Sequence, residues 1–173
     1  MAIPLRRSDP AAIAAGLRTF FVTSSIAEKQ NLLQSHRSSK LFVEVLYHYR
    51  QERKYLLHDF VVMPDHFHAL ITVEGEMRIE LAVQFIKGGF AFRAGKELGF
   101  RAPVWQRGFS EVRIYDSDSL ARVKEYIAHN PVKRGLAQKP ADYLYSSVHG
   151  GFELDEVPQG LKPTDGLRLD RHA

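Results

Sequence analysis

Two histidines stand two residues apart in the segment VVMPDHFHALITV, residues 61–73. Apolar residues occupy every odd position from Phe67 to Val73, and this alternation predicts a half-buried β-strand. Successive strand side chains point to opposite faces, so His66 and His68 leave one face with Cα atoms roughly 6.6 Å apart, while Phe67 points into the core. Two imidazoles so placed can chelate one metal ion. The alternative is a pair of polar side chains on a solvent-facing sheet surface.

A second pair of reactive side chains falls in SDSLARVKEYIAHNP, residues 117–131, which has the periodicity of a helix. Tyr126 and Asn130 lie four residues apart and therefore share a helix face about one turn from each other. The phenol could act as a nucleophile, and the amide oxygen could be a third ligand of a metal held by the histidines. The alternative is a tyrosine packed at a boundary and an asparagine that ends a helix. Tyr115, at a strand end, is the rival nucleophile.

Basic and aromatic side chains are interleaved elsewhere in the chain. Trp105 and Arg107 stand together in VWQRGF, Lys133 and Arg134 fall in the turn PVKRG, and Lys87 lies on a predicted helix. Aromatic rings that stack bases beside cations that hold phosphates are what single-stranded nucleic acid requires. The alternative is a solvated charged surface around one core tryptophan.

Length and composition narrow the possible classes of protein. The chain has 173 residues, no cysteine, and 24 Lys and Arg against 20 Asp and Glu, for a net charge of +4. One domain with a full core is expected, and disulfide, zinc-knuckle and thiol chemistry are excluded. The modest basic excess permits a nucleic-acid partner. No apolar run approaches the roughly 20 residues of a membrane span, and we expect a cytoplasmic protein.

Seven segments have the periodicity of strands or helices, in the order β-α-β-β-α-β-α. Strands are predicted over Arg18–Ile26, on both sides of a turn at residues 63–65, and near residues 111–115. This order predicts an α+β fold of the ferredoxin-like type, an antiparallel sheet with helices packed on it. We expect the domain to occupy residues 1–150 and residues 151–173, rich in proline, glycine and charge, to form a C-terminal tail.

The three predicted helices have boundary signals and apolar stripes. The first should begin after an N-cap at Ser38 or Ser39, the second should span residues 79–98, and the third should start near Asp116 and end before Pro131. The predicted apolar stripes are Leu41, Val45 and Tyr49 in the first helix, Leu81, Phe85 and Phe92 in the second, and Leu120, Val123 and Ile127 in the third.

Four motifs, VVMPDHFH, VWQRGF, EYIAHNPVKRGL and DYLYSS, occur in the order and spacing found in the REP-associated tyrosine transposases. These are relatives of the single-tyrosine HUH transposases of small insertion sequences, and the resemblance covers residues 20–147. It implies that His66 and His68 form the histidine-hydrophobe-histidine metal motif, that Tyr126 is the catalytic tyrosine, and that Asn130 is the helical amide ligand. The implied metal is Mg²⁺ or Mn²⁺.

The resemblance also implies an activity and a partner. Members of the family have a ferredoxin-like sheet and bind single-stranded DNA, commonly beside palindromic hairpins. They cut it through a 5′-phosphotyrosine bond, leave a free 3′-hydroxyl, and rejoin strands by reversal, as monomers or homodimers. Two other functions stay open on the residues: a hairpin DNA or RNA binding protein without the reaction, and a metal-dependent phosphodiesterase that uses water.

Overall fold

Four antiparallel strands form a single sheet in the computed structural model, which describes residues 16–158. The strands are β1 (Arg18–Ser25), β2 (Leu56–Met63), β3 (His66–Val73) and β4 (Ser110–Ile114). Their order across the sheet is β2-β3-β1-β4, so the histidine strand is central. The strands predicted from the sequence are confirmed to within one or two residues at their ends.

Three helices cover the sheet. They are α1 (His36–Gln51), α2 (Ile79–Leu98) and α3 (Ser117–Lys133). The first two pack on one face of the sheet, and α3 packs on the other. The order β1-α1-β2-β3-α2-β4-α3 confirms the predicted ferredoxin-like α+β fold. Within the described residues, none of the helices is both long and apolar enough to cross a membrane.

The main core lies between the sheet and the pair α1 and α2. Phe67 of β3 is fully buried there, as its position in the alternation predicts. Its ring lies 4.7 Å from that of Phe42 in α1 and 5.5 Å from that of Trp105, and Phe90 of α2 completes the aromatic cluster. Full burial of each phenylalanine contributes about 1.5–3 kcal/mol. This cluster fixes β3 in place, and therefore fixes the histidines that point the other way.

The opposite face of the sheet is covered only in part. Ile127 of α3 is buried against Val61 of β2 and Leu70 of β3 in a second, smaller apolar cluster. Strand pairing sets Thr23 of β1 opposite His68 and Ser25 opposite His66 on this face. The open part of the face is therefore lined by the histidine pair and its cross-strand neighbours.

The first helix begins earlier than predicted. Its N-cap is Ser35, whose Oγ accepts a hydrogen bond of 3.1 Å from the backbone N–H of Ser38. The prediction of Ser38 or Ser39 as the cap is wrong, because both lie inside the helix and are buried against the core. Several serines compete for one cap, and only the path of the preceding loop decides between them.

The predicted apolar face of α2 is also wrong. Leu81 and Phe92 are 38% and 65% exposed. The stripe that packs on the core consists of Ile79, Ala82, Val83, Ile86, Phe90 and Ala94. Two members of this stripe are alanines, whose small side chains suit a helix that lies close to α1. A search for large apolar side chains therefore predicts the wrong face of α2.

The third helix begins where it was predicted and ends later. Asp116 caps it by accepting a hydrogen bond of 2.8 Å from the N–H of Ser119, but the helix continues through Pro131 to Lys133. A proline in the last turn removes only one helical hydrogen bond. The ring of Pro131 is buried, and its packing stabilises the last turn. Asn130 therefore lies within the helix, one full turn beyond Tyr126.

The segment after the third helix covers the edge of β2. The backbone N–H of Asp155 donates to the carbonyl of Leu57 over 2.8 Å, and its carboxylate accepts a paired hydrogen bond from Arg50. Phe152 packs on Tyr47 with ring centroids 6.2 Å apart. An edge strand is thereby closed against pairing with another chain. Residues 159–173 of the predicted tail lie outside the described residues.

Candidate functional site

The two histidines of β3 converge on one point. The Nε2 atoms of His66 and His68 lie 3.1 Å apart. The opposite nitrogen of each ring is engaged: Nδ1 of His66 bonds the carboxylate of Asp65 over 2.6 Å, and Nδ1 of His68 bonds the hydroxyl of Thr23 over 2.7 Å. These two hydrogen bonds hold both rings so that the Nε2 atoms face each other.

Burial keeps both imidazoles neutral. Desolvation, reinforced by the charges of a protonated His66 and of Arg134, lowers the pKa of His68 to about 3. Desolvation also lowers the pKa of His66, although its hydrogen bond to Asp65 opposes the shift. Neutral imidazoles present the lone pairs that a metal ion requires.

The geometry of the pair fits a divalent ion. A carboxylate partner obliges Nδ1 of His66 to carry the proton, which leaves its Nε2 as a lone pair. The hydroxyl of Thr23 can accept a hydrogen bond from a protonated Nδ1 of His68, as well as donate one. Nε2 of His68 is therefore free to present a lone pair, as Nε2 of His66 does. A separation of 3.1 Å is close to that of two nitrogens each about 2.1 Å from a shared ion. Within residues 16–158, no group of three or more His, Asp, Glu or Cys side chains is placed to hold a metal ion.

The third helix brings Tyr126 to the histidine pair. The Tyr126 ring is 48% exposed and lies 5.2 Å from the ring of His68 at an angle of 79°. Asn130, one turn later, is buried. Both line a cleft of about 660 Å³, which we call the tyrosine cleft. Its lining residues are His66, Arg122, Glu125, Tyr126, His129, Asn130, Lys133 and Arg134.

The rival tyrosine lies elsewhere. Tyr115 follows β4 and its ring packs under the guanidinium of Arg113, 5.0 Å from the ring centroid. It is not among the residues that line the tyrosine cleft. Of the two candidate nucleophiles, only Tyr126 faces the histidines.

Two of the predicted DNA-binding residues line the tyrosine cleft. Lys133 and Arg134 are exposed at the end of α3, and a guanidinium nitrogen of Arg134 lies 3.5 Å from the Asp65 carboxylate. Arg107 is exposed in a separate depression of about 220 Å³, which also includes Thr23 and Ser25. Both depressions therefore border the histidine strand or its neighbour β1.

The other two predicted DNA-binding residues support the loop before β4. Nε1 of Trp105 donates a hydrogen bond of 2.9 Å to the carbonyl of Lys87, and the Trp105 ring packs in the core cluster. The Lys87 ammonium donates to the carbonyls of Gln106 and Gly108 over 3.1 and 2.7 Å. These contacts fix the loop that presents Arg107. A direct contact of Trp105 or Lys87 with DNA stays a prediction.

Several residues of the site were not predicted from the sequence. Asp65 directly precedes the histidine motif, and its acidic side chain was the available signal. Glu125 and His129 flank Tyr126 at the spacing of one helix face, which also could have been noticed. Arg122 precedes Tyr126 by four residues and so shares its helix face, which was a further signal. Thr23 carries no local signal, because only strand pairing brings it to the site.

The ferredoxin-like sheet thus carries a convergent histidine pair on its open face, with a helical tyrosine beside the pair. Residues 19–130 match the model of the family described as transposase IS200 like. The chain belongs to this family of DNA transposases.

Named relatives confirm the resemblance to the REP-associated tyrosine transposases. One, from Escherichia coli K12, is 26% identical over 148 residues, which are 85% of this chain and 83% of the relative. A Haemophilus influenzae protein assigned to the same group is 29% identical over 118 residues, 62% of this chain and 67% of the relative. The fold matches a solved REP-associated tyrosine transposase bound to a REP hairpin, with a TM-score of 0.67 and 21% identity over 87% of this chain and 94% of that one.

Proposed function

We propose that this transposase cleaves and rejoins single-stranded DNA at hairpin sequences by using Tyr126 as the nucleophile. The observation that carries the proposal is the position of the Tyr126 ring, 5.2 Å from His68, in the same cleft as His66 and Asn130. A nucleophile must lie beside the group that polarises its target. In this cleft Tyr126 lies beside the side chains that would hold the metal, which supports the proposal.

The proposed reaction conserves the phosphodiester bond. The phenolic oxygen of Tyr126 attacks phosphorus, and the bond from phosphorus to the 3′-oxygen breaks. The phenolic proton is transferred, in net terms, to the departing oxygen, which leaves a 3′-hydroxyl, while the 5′-phosphate stays esterified to Tyr126. Attack by a 3′-hydroxyl reverses the step and joins two strands. No nucleotide cofactor is consumed, which agrees with the lack of a G-x-x-x-x-G-K-[ST] loop in the sequence.

The chain's own residues prepare the cleft for a divalent ion. His66 and His68 would hold Mg²⁺ or Mn²⁺, with the Asn130 amide as a further ligand. The ion would act as a Lewis acid that polarises the scissile phosphate. Asp65 and Thr23 fix the orientation of the imidazoles. Imidazole also suits zinc, cobalt and nickel, so a comparison of cleavage with each of these ions measures the metal preference.

Cations at the rim of the tyrosine cleft suit a single strand of DNA. Arg122, Lys133 and Arg134 line the cleft on the side of α3. Their charges would neutralise successive phosphates of a strand that passes Tyr126. The structural relative is bound to a REP hairpin, which supports a hairpin with a single-stranded foot as the substrate. The protein would act as a monomer or a homodimer.

Trapping a covalent adduct tests the proposal. The protein is mixed with an oligonucleotide that forms a hairpin with a single-stranded foot, in Mn²⁺, and resolved under denaturing conditions. We expect a protein–DNA species that survives denaturant, with the linkage on Tyr126 by peptide mapping. Cleaved DNA without an adduct would identify a water-using phosphodiesterase. Hairpin binding with neither product would identify a binding protein, and either result would overturn the proposal.

A further inference from the structure

An apolar surface lies uncovered beside the tyrosine cleft. Phe21 of β1 and Val112 of β4 are cross-strand partners on the α3 face of the sheet. Val112 is 54% exposed, although it lies within a strand. With Ile114 they form one wall of a depression of about 330 Å³, which we call the sheet platform. The other lining residues are Ser119, Arg122, Val123 and Tyr126 of α3.

The packing of α3 explains why the sheet platform is open. The helix packs on β2 and β3, where Ile127 covers Val61 and Leu70. Among residues 16–158, no other element packs over the neighbouring part of β1 and β4 on this face. An apolar cross-strand pair that stays in solvent lacks the stabilisation that burial of its surface would give. A polar pair at the same place would lose nothing comparable. This surface therefore has the character of a binding site for an apolar, flat group.

The aromatic rings at the sheet platform are arranged for stacking. The Phe21 ring lies nearly parallel to the ring of His68, with centroids 5.2 Å apart and an angle of 22°. Tyr126 meets the Phe21 ring edge-on at 5.9 Å and 80°. The Phe21 ring is thus held by contacts with both His68 and Tyr126. A planar ligand on Phe21 would be positioned relative to Tyr126.

The tyrosine cleft and the sheet platform are adjacent, because Arg122 and Tyr126 line both of them. A strand with its phosphate at Tyr126 that leaves the cleft past Arg122 would carry its next base toward Phe21 and Val112. Sheet-faced modules bind single strands in this manner, with bases on sheet aromatics and phosphates on nearby cations.

We infer that the sheet platform binds an unpaired nucleobase next to the scissile phosphate, by stacking on Phe21 and contact with Val112, while Arg122 holds the adjoining phosphate. This inference rests on the proposed function, because the phosphate at Tyr126 sets where the base falls. The ligand is a single-stranded nucleotide whose base must be present. Every base has a flat apolar face, so the platform would favour a base over an abasic site more than one base over another.

Photocrosslinking tests the inference without requiring cleavage. Wild-type protein in EDTA is bound to hairpin oligonucleotides that carry 5-iodouracil at each foot position in turn. Near-ultraviolet light should crosslink one position to Phe21, identified by peptide mapping. A crosslinking map that lacks Phe21 at every position would overturn the inference. A Phe21 crosslink in protein that forms no Tyr126 adduct would instead overturn the proposed function and leave the platform intact.

A change in the protein and a change in the DNA together provide a second, quantitative test. Phe21→Ala should weaken binding of the hairpin foot by about 5- to 150-fold, the usual loss for one base–aromatic stack. An abasic nucleotide at the crosslinked position should weaken wild-type binding similarly and the Phe21→Ala variant no further. Undiminished binding by a folded Phe21→Ala protein, or additive losses, would count against the platform.

A variant of an exposed residue tests the inference even if Phe21→Ala fails to fold. Val112→Asp places a carboxylate on the exposed platform, where it would repel the strand, and it should fold normally because the position is 54% exposed. The matched control is Leu144→Asp, at a leucine that is 51% exposed and outside the platform lining. We expect Val112→Asp to bind the foot more weakly than the wild type does. Leu144→Asp should bind it as tightly as the wild type. Equal binding by both variants would overturn the inference.

Discussion

At the scale of single residues, the hydroxyl of Tyr126 is the atom on which the proposed chemistry depends. Tyr126→Phe removes that oxygen and keeps the ring contacts with Phe21 and His68. We expect cleavage to fall by at least about 10³-fold, because no other group replaces the nucleophile. The melting temperature and hairpin affinity should stay close to wild type, since the ring is 48% exposed and still packed.

The control for this prediction is Tyr115→Phe. Tyr115 lies outside the tyrosine cleft, so its variant should cleave hairpin DNA at the wild-type rate. Rates are measured with labelled oligonucleotides in Mn²⁺. Persistent cleavage by Tyr126→Phe, or an adduct mapped to Tyr115, would refute the assignment.

The histidine pair makes a separate prediction about metal binding. Mn²⁺ at about 100 times its dissociation constant should raise the melting temperature of the wild type by about 5–10 °C, because the ion binds only the folded chain. His66→Ala and His68→Ala should lose this increment, and Asn130→Ala should lose part of it. Both imidazoles are buried, so the alanine variants will also melt lower without metal, and the increment rather than the absolute temperature is the measurement.

A buried histidine away from the pair supplies the control. His58 is hydrogen-bonded to the hydroxyl of Thr72 over 2.6 Å and to the carbonyl of Asp155 over 2.8 Å. His58→Ala should lower stability and keep the full increment from Mn²⁺. An increment that survives loss of His66 and His68 would place the metal elsewhere.

At the scale of elements, two adjacent glycines in α2 should respond oppositely to alanine. A Cβ at Gly88 meets nothing within 4 Å, whereas a Cβ at Gly89 would lie 2.6 Å from the ring of Tyr49 in α1. Gly88→Ala should therefore stabilise the protein by about 0.5–1 kcal/mol through helix propensity. Gly89→Ala should lose that gain, because the Tyr49 ring must shift.

Urea denaturation of five proteins measures this difference. The free energies of unfolding of wild type, Gly88→Ala, Gly89→Ala and Tyr49→Ala are compared with that of the Tyr49→Ala, Gly89→Ala double variant. In the Tyr49→Ala background Gly89→Ala should become stabilising. If Gly89→Ala changes the free energy of unfolding equally in the wild-type and Tyr49→Ala backgrounds, α1 and α2 do not approach each other at Gly89.

The segment that covers the β2 edge makes stability depend on acid pH. Burial raises the pKa of Asp155, but its hydrogen bonds from Arg50 and from the N–H of Leu57 outweigh this and lower it below 3.8. A carboxylate whose pKa is lowered by folding contributes stability above its unfolded pKa. That contribution is lost as the pH falls from about 4 through the folded value.

Asp155→Asn should therefore unfold more easily at neutral pH. We expect a loss of about 1.5–3 kcal/mol, the usual value for hydrogen bonds to a charged group. The gap between wild type and variant should close below pH 4, as measured by urea denaturation across pH. Glu153→Gln is the control, since the Glu153 side chain is 82% exposed and lies 3.6 Å from Arg50. A constant gap at all pH values would contradict the linkage.

At the scale of the whole molecule, the charge distribution predicts how DNA affinity depends on salt. The chain has a net charge of +4, and Lys133 is one of the cations at the tyrosine cleft. Binding of a hairpin with a single-stranded foot should weaken linearly on a log–log plot against salt, as phosphate contacts release counterions. Lys133→Ala should reduce the slope by about 0.7, the value for one contact with a single strand.

A lysine outside the tyrosine cleft tests whether the effect is local. Lys139→Ala removes the same charge from an exposed position that does not line the cleft. It should leave the slope nearly unchanged in the same fluorescence titration. The hairpin with a foot should also bind more tightly than a random duplex of equal length. Equal slopes for the two lysine variants would indicate non-specific attraction.

The sequence by itself determined the features that depend on local periodicity. Alternation in β3 put His66 and His68 on one face, and helical spacing put Tyr126 and Asn130 one turn apart. The order of the seven elements indicated the ferredoxin-like sheet. These inferences succeeded because a strand or helix repeats at a fixed interval whatever packs against it.

Only the tertiary structure decided which residues of different elements meet. Register between β1 and β3 placed Thr23 beside His68, and the position of α3 brought Tyr126 over that ring while leaving Phe21 and Val112 uncovered. Phe92 is likewise exposed because a different face of α2 packs on the core. Such contacts join segments far apart in the chain, and their energies come from the packing of whole elements, which no local pattern records.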